Sequence, residues 1–207
     1  MKIKRHIVGV LQANCYVVYD EGSRAAVVID PGGNAAKIKR TLEEKGLRLA
    51  AIIHTHDHWD HTAGTDALQK ATGAPLYRHP EDPKSGLLNR SRKSDQEKIF
   101  DLADGQELVF GPLKFQVLHT PGHSRGHICL SAEGELFSGD LLFQDGVGRT
   151  DLKGGSEREL IKSLNQRLAH LPDQTVVHPG HGPATTLGQE RITNPYFRSL
   201  RGQGRRG

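Results

Sequence analysis

The chain has 207 residues, 35% of them hydrophobic, with 24 glycines, 10 prolines and a formal charge of +4. That length can bury one core without disulfides, and no stretch nears the ~18 apolar residues of a membrane helix. The charged start, Met1 to Val8, has no apolar run behind it, so neither a secretory leader nor a membrane span is expected. The basic excess lies in residues 84–98 and in the final ten residues, with no aromatic platform beside it, which argues against a nucleic-acid partner.

In chain order, the β-branched runs 13–20 and 24–30 flank Glu21-Gly22-Ser23 and predict a hairpin. Helix formers at 35–44 follow Pro31-Gly32-Gly33 and stop at Gly46. Residues 49–53 predict a strand that delivers His54-Thr55-His56-Asp57-His58-Trp59-Asp60-His61, after which a helix opens at Asp60 or Thr62, runs to Thr72 and closes at Gly73. A short strand at 74–77 leads into a polar, basic excursion, read as a lid. Further strands are expected at 108–110, 113–118, 128–132 and 135–138, then a helix at 157–170, whose Leu160, Ile161, Leu164 and Leu168 recur at helical spacing. A last strand at 175–178 and a short helix or tail from Gln189 complete the series, with a flexible basic tail at 197–207. Two rounds of strands and helices predict one α+β domain: two sheets face to face with helices outside. Cys15 and Cys129 sit in strand-like runs and are expected as buried, reduced thiols of a cytoplasmic protein.

The His-rich stretch is where the chemistry concentrates. On extended backbone His56, His58 and Asp60 share one side, because side chains alternate. Asp60 and His61 are neighbours that must diverge, so the stretch suits two adjacent metal ions better than one. Further donors stand just past apolar runs: His123 after Thr120-Pro121-Gly122, Asp140 after Ser138-Gly139, and His181 after Pro179-Gly180. Glycine and proline turns hold such side chains at fixed angles. Of the other histidines, His54, His119 and His127 adjoin donor segments and are candidates to support them. His6, His79, His170 and His178 read as surface or strand-end residues without partners, and Trp59 as a packing residue.

The pattern Thr55-His56-x-His58-x-Asp60-His61, followed by His123, Asp140 and His181, resembles the metallo-β-lactamase superfamily over nearly the whole chain. The segments 147–155, 182–188 and 190–195 are similar to the short bacterial proteins of the glyoxalase II group. This resemblance implies an αββα sandwich, one metal on His56, His58 and His123, a second on Asp60, His61 and His181, and Asp140 bridging. It also implies Asp30 as a residue that supports the ligands. The C-terminal helical domain with which longer glyoxalase II enzymes grip glutathione is not expected in this chain.

A donor set of imidazoles and carboxylates without cysteine suits zinc first, with iron or manganese as alternatives, and is not a closed structural zinc site. Two cations sharing Asp140 would lower the pKa of a water between them to about 7, giving a hydroxide for attack on an acyl carbonyl. The expected activity is hydrolysis of a small-molecule acyl thioester, such as a glutathione-derived one, with Asp60 and Asp140 as catalytic residues and Arg149 and Lys153 binding substrate. A mono-iron persulfide dioxygenase using His56, His123 and Asp140 is the alternative. Nucleic-acid processing and lactamase or lactonase activity rank below both.

Overall fold

The computed structural model describes residues 1–82 and 98–198. The strands are β1 (Lys2–Val8), β2 (Ala13–Tyr19), β3 (Ala25–Ile29), β4 (Arg48–Ile53), β5 (Leu76–Arg78), β6 (Ile99–Asp101), β7 (Glu107–Phe110), β8 (Leu113–His119), β9 (Ile128–Ala132), β10 (Glu135–Gly139), β11 (Val176–Pro179) and β12 (Thr185–Thr186). The helices are α1 (Ala35–Glu44), α2 (Trp59–Thr62), α3 (Thr65–Thr72), α4 (Glu157–Arg167), α5 (Leu187–Thr193) and α6 (Pro195–Arg198). Two six-stranded sheets form in the orders β1-β2-β3-β4-β5-β6 and β12-β11-β10-β9-β8-β7. In the first, β1 to β3 are antiparallel and β3 to β6 parallel. The second is antiparallel except between β10 and β11.

Period-two patterning divides the strands between two cores. Tyr16, Val18, Val27, Ile29, Ala51 and Ile53 face Leu113, Phe115, Val117, Ile128, Leu130 and Phe137 across the sandwich. The alternate residues Val17, Tyr19, Ala26, Val28 and Ile52 pack under Ile38 and Leu42 of α1 and Leu68 of α3. On the outer face of the second sheet Cys129, Leu136 and Val177 meet Leu160, Leu164 and Leu168, contributed by α4 and its C-cap. Burying each such leucine stabilises the fold by roughly 1.5–3 kcal/mol. The layers are therefore helix, sheet, sheet, helix. Both cysteines are buried and free, and no helix of the described residues is long and apolar enough to cross a membrane.

Three details depart from the sequence reading. The helix expected from Asp60 or Thr62 to Thr72 is broken into α2 and α3 at Ala63 and Gly64. Gly64 gives its N–H to the Pro31 carbonyl at 2.7 Å, and a Cβ there would stand 2.7 Å from the same oxygen. Trp59 does not pack: it is 49% exposed. It opens a one-turn helix whose buried residues are Asp60, His61 and Thr62, which turns the indole outward. The histidines expected to lack partners include three with partners. His178 meets Glu135 at 2.6 Å and stacks on Phe137, His6 bonds Thr41 at 3.2 Å, and His79 stacks on His119 at 4.1 Å. Most of the excursion from Pro80 to Asp95, read as a lid, and of the basic tail lies outside the described residues. The start of that tail does not: Phe197 packs into the outer core of the second sheet.

Candidate metal centre

The donors assemble at one end of the sandwich, where strands finish. The loop after β4 carries His56 and His58, α2 carries Asp60 and His61, and the turns after β8, β10 and β11 carry His123, Asp140 and His181. His56, His58 and His123 form one group whose ligand atoms lie within 4.8 Å of one another, and Asp60, His61 and His181 form another. His123 Nε2 is 2.8 Å from His58 Nδ1. His181 Nε2 is 3.2 Å from both His61 Nε2 and Asp60 Oδ2. Asp140 stands between the groups, with Oδ2 3.5 Å from His123 Nε2 and Oδ1 3.4 Å from His61 Nε2. The residues that the sequence resemblance assigns to each metal are thus brought together, and a further group, Asp30, His56 and His61, runs between the two sets.

Hydrogen bonds outside the cluster fix which nitrogen of His56, His61 and His123 faces inward. His61 gives its Nδ1 proton to Asp30 Oδ2 at 3.1 Å. His123 Nδ1 donates to the Arg149 carbonyl at 2.7 Å. Thr55 Oγ1 gives its proton to Asp30 at 2.6 Å and so accepts from His56 Nδ1 at 3.1 Å. Each arrangement turns Nε2 toward the centre, the usual way a protein prepares imidazole for a metal. Asp30 is buried at φ 52°, a left-handed conformation that aspartate tolerates, and also accepts from the Thr55 N–H at 2.7 Å. His127 accepts the Asp140 N–H through Nε2 at 3.0 Å, while its Nδ1 meets Thr120 Oγ1 at 2.9 Å. Of the other flanking histidines, His54 bonds Asp57 and Thr65, and His119 turns away to the Arg125 carbonyl.

The electrostatics call for cations. Burial, with neighbouring imidazoles, holds the His56 pKa well below its ordinary value, so its ring stays neutral and able to ligate. Burial alone would lower His61, but Asp140, Asp30 and Asp60 outweigh it and raise the pKa to about 9. Burial would raise Asp60, yet the hydrogen bond from His181 and the His61 charge bring it to about 2. Buried His56 Nε2 and Asp140 Oδ1 have no hydrogen-bond partner. Orphaned polar atoms are costly in an interior. Divalent cations, which suit imidazole nitrogen and carboxylate oxygen, would satisfy such atoms, one at each donor group, so the residues fit the metals implied by the resemblance.

Arg149 and Lys153, expected to bind substrate, sit on the same loop in different surroundings. The Arg149 guanidinium is exposed and grips Asp151 with two bonds of 2.7 Å. Lys153 lines a cavity of about 520 Å³ that also touches His58, Arg125 and Leu152. A cluster apart from these, His79, Glu81 and His119, is less suited to a metal. His79 Nδ1 accepts the Glu81 N–H, which puts the ring proton on the other nitrogen. Sequence reading missed the residues that brace the centre from a distance, Asn14, Asp57, Arg78 and Asp82, because nothing local distinguishes them from ordinary loop or strand polar residues.

The family model of the metallo-beta-lactamase superfamily matches residues 8–184. The chain is 34% identical to the hydroxyacylglutathione hydrolase GloC of Haemophilus influenzae, over 96% of this chain and 99% of that one. It is 36% identical to the probable metallo-hydrolase YqgX of Bacillus subtilis, over 95% and 98%. Among solved structures, the BLEG-1 B3 metallo-beta-lactamase superposes with a TM-score of 0.82 at 37% identity, covering 95% of this chain and 99% of that one. TTHA1623 in a di-iron-bound form gives 0.79 at 40%, over 93% and 99%. ETHE1 from Myxococcus xanthus gives 0.79 at 28%, over 100% and 92%.

Proposed function

The chain belongs to the metallo-beta-lactamase superfamily, and from that premise we propose that it is a cytoplasmic thioester hydrolase working with two divalent ions, zinc first, on a small hydroxyacyl thioester. The observation that carries this reading is Asp140, whose carboxylate stands between two complete donor groups, with Oδ1 3.4 Å from His61 Nε2 and Oδ2 3.5 Å from His123 Nε2 and 3.9 Å from His181 Nε2. Such ions supply Lewis acidity and a hydroxide-strength nucleophile at neutral pH. The chain's own residues do the rest. Asp30, His127 and the Arg149 carbonyl fix the ligating rings and the Asp140 backbone before substrate arrives, which is the preorganisation catalysis requires.

The cavity beside His58 has room for an acyl thioester, with Leu152 for its apolar part and Lys153 and Arg125 for an anionic end. Arg149 would take a substrate carboxylate by exchanging it for Asp151, a bidentate match of the same geometry. A thiolate leaves with a pKa near 8.5, so no strong general acid is needed. The likeness to GloC supports the thioester class, and the buried free thiols of Cys15 and Cys129 fit a reducing compartment.

A second reading, a mono-iron persulfide dioxygenase on His56, His123 and Asp140, is favoured by the likeness to ETHE1 over the whole chain. The two readings differ in oxygen dependence. Lactoylglutathione should be cleaved at the same rate with and without oxygen, and zinc should support turnover. Oxygen uptake with glutathione persulfide, iron at one per chain and no thioester cleavage would replace the hydrolase by the dioxygenase.

A further inference from the structure

Asp82 is 3% exposed and its carboxylate accepts three hydrogen bonds. Oδ1 takes the Gly126 N–H at 2.6 Å, while Oδ2 takes the Ser124 hydroxyl at 2.9 Å and the Asp57 N–H at 3.0 Å. Asp57 stands between His56 and His58, and Ser124 follows His123. One side chain thus ties the loop after β4, in the first sheet, to the turn after β8, in the second. These two segments carry the histidines of one donor group. Asp57 is itself held, by Arg78 at 2.6 Å and His54 at 3.1 Å, and Arg78 also reaches the Asp82 carbonyl at 3.3 Å. The contact is too close for any side chain at 126, where a Cβ would lie 2.4 Å from the Asp82 nitrogen.

The other donor group has its own cross-sheet brace. Asn14, on β2 of the first sheet, donates through Nδ2 to the carbonyls of Pro179 at 2.8 Å and Gly182 at 2.9 Å. Its backbone N–H reaches the Gly180 carbonyl at 2.7 Å, and the Tyr16 hydroxyl donates to Pro179 at 2.7 Å. Those carbonyls bracket His181. The Asp82 and Asn14 braces share no residue.

We propose that Asp82 is a positioning residue for the His56, His58 and His123 group and Asn14 for the His181 turn, so that each brace acts on the affinity of its own ion. The inference rests on the two-ion reading. Asparagine at 82 would present an NH2 where the carboxylate accepts, leaving at least one of the three donors opposed by another donor. Losing a residue that orients metal ligands typically weakens metal binding 10- to 100-fold.

Cobalt(II) titration of the full chain, followed by visible absorption, tests this in two backgrounds that each keep one donor group intact, His181→Ala and His123→Ala. In the His181→Ala protein, Asp82→Asn is expected to loosen cobalt 10- to 100-fold, and Ser124→Ala, which removes one of the three donors, less but in the same direction. In the His123→Ala protein both should leave the cobalt Kd unchanged, whereas Asn14→Ala should raise it. Equal shifts in both backgrounds, no shift in either, or a lower apo-protein Tm without a site-selective shift would overturn the proposal. If the wild type saturates at one ion and only one background binds, the two-ion reading falls, and the pairing of each brace with its own ion falls with it.

Discussion

Gly180 presses so closely on Asp140 that a Cβ at position 180 would stand 2.2 Å from Asp140 Oδ1 and 2.7 Å from His61 Cε1. The glycine before His181 therefore makes room for the carboxylate between the two donor groups. Gly180→Ala should push that carboxylate aside while the sheets remain paired. A misplacement of about 1 Å at a reacting centre costs on the order of 10²-fold in rate. That loss in kcat/KM, with far-UV circular dichroism unchanged, is the expected result; a variant as active as the parent would mean that Asp140 need not stand where it does.

Metal content should follow the split of the donors. Asp60→Ala or His61→Ala is expected to lower the ions per chain from about two to about one, because both residues belong to the group completed by His181. Chelation should lower Tm, and zinc restored at about 1,000 times its Kd should return about 4 kcal/mol per ion. For a chain of this size that is roughly 8–16 °C. Calorimetry and elemental analysis of the same samples read both quantities.

The Arg149 side chain and main chain do separate jobs. The carbonyl receives the His123 proton while the guanidinium lies in solvent on Asp151. Arg149→Ala should thus keep its metal content and raise KM for a carboxylate-bearing thioester by roughly tenfold, with a smaller change for an uncharged one. Steady-state kinetics on the two substrates decide; equal KM values would restrict the guanidinium to holding its loop.

Acid should weaken the fold through His6. Burial, then the nearby charges of Lys4 and Lys37, lower its folded pKa below 6.5. Between that lowered value and 6.5 the unfolded chain binds the proton more readily than the folded one, so stability falls as pH drops through this window. His6→Gln should flatten the slope of the urea midpoint between pH 5.5 and 7.5. It should not abolish it, because His127 is buried neutral as well. A slope unaltered by the substitution would remove His6 from the account.

The candidate ligands were legible because their signals are local in sequence: four lie in one His-rich stretch directly after an apolar strand, and His123, Asp140 and His181 each follow an apolar run and a glycine. The central strands were legible for a similar reason, being β-branched and bounded by turns. β1 was not, because Lys2, Lys4 and Arg5 face solvent along a sheet edge and mask the pattern in which only His6 and Val8 are fully buried. Charged edges of this kind discourage pairing with other chains. β12 is two residues long and exists only by pairing with β11. Asp82 was invisible in a different way. Its partners lie 25, 42 and 44 positions away, and a hydrogen bond at that range leaves no mark on the residues between.

The braces between the sheets also order events in time. During synthesis His56, His58, Asp60 and His61 emerge well before His123, Asp140 and His181, so an unfinished chain holds neither donor group complete. Ions can be captured firmly only once β8 to β11 have been made and docked. Any stabilisation that bound ions would confer is therefore available only to chains made through His181.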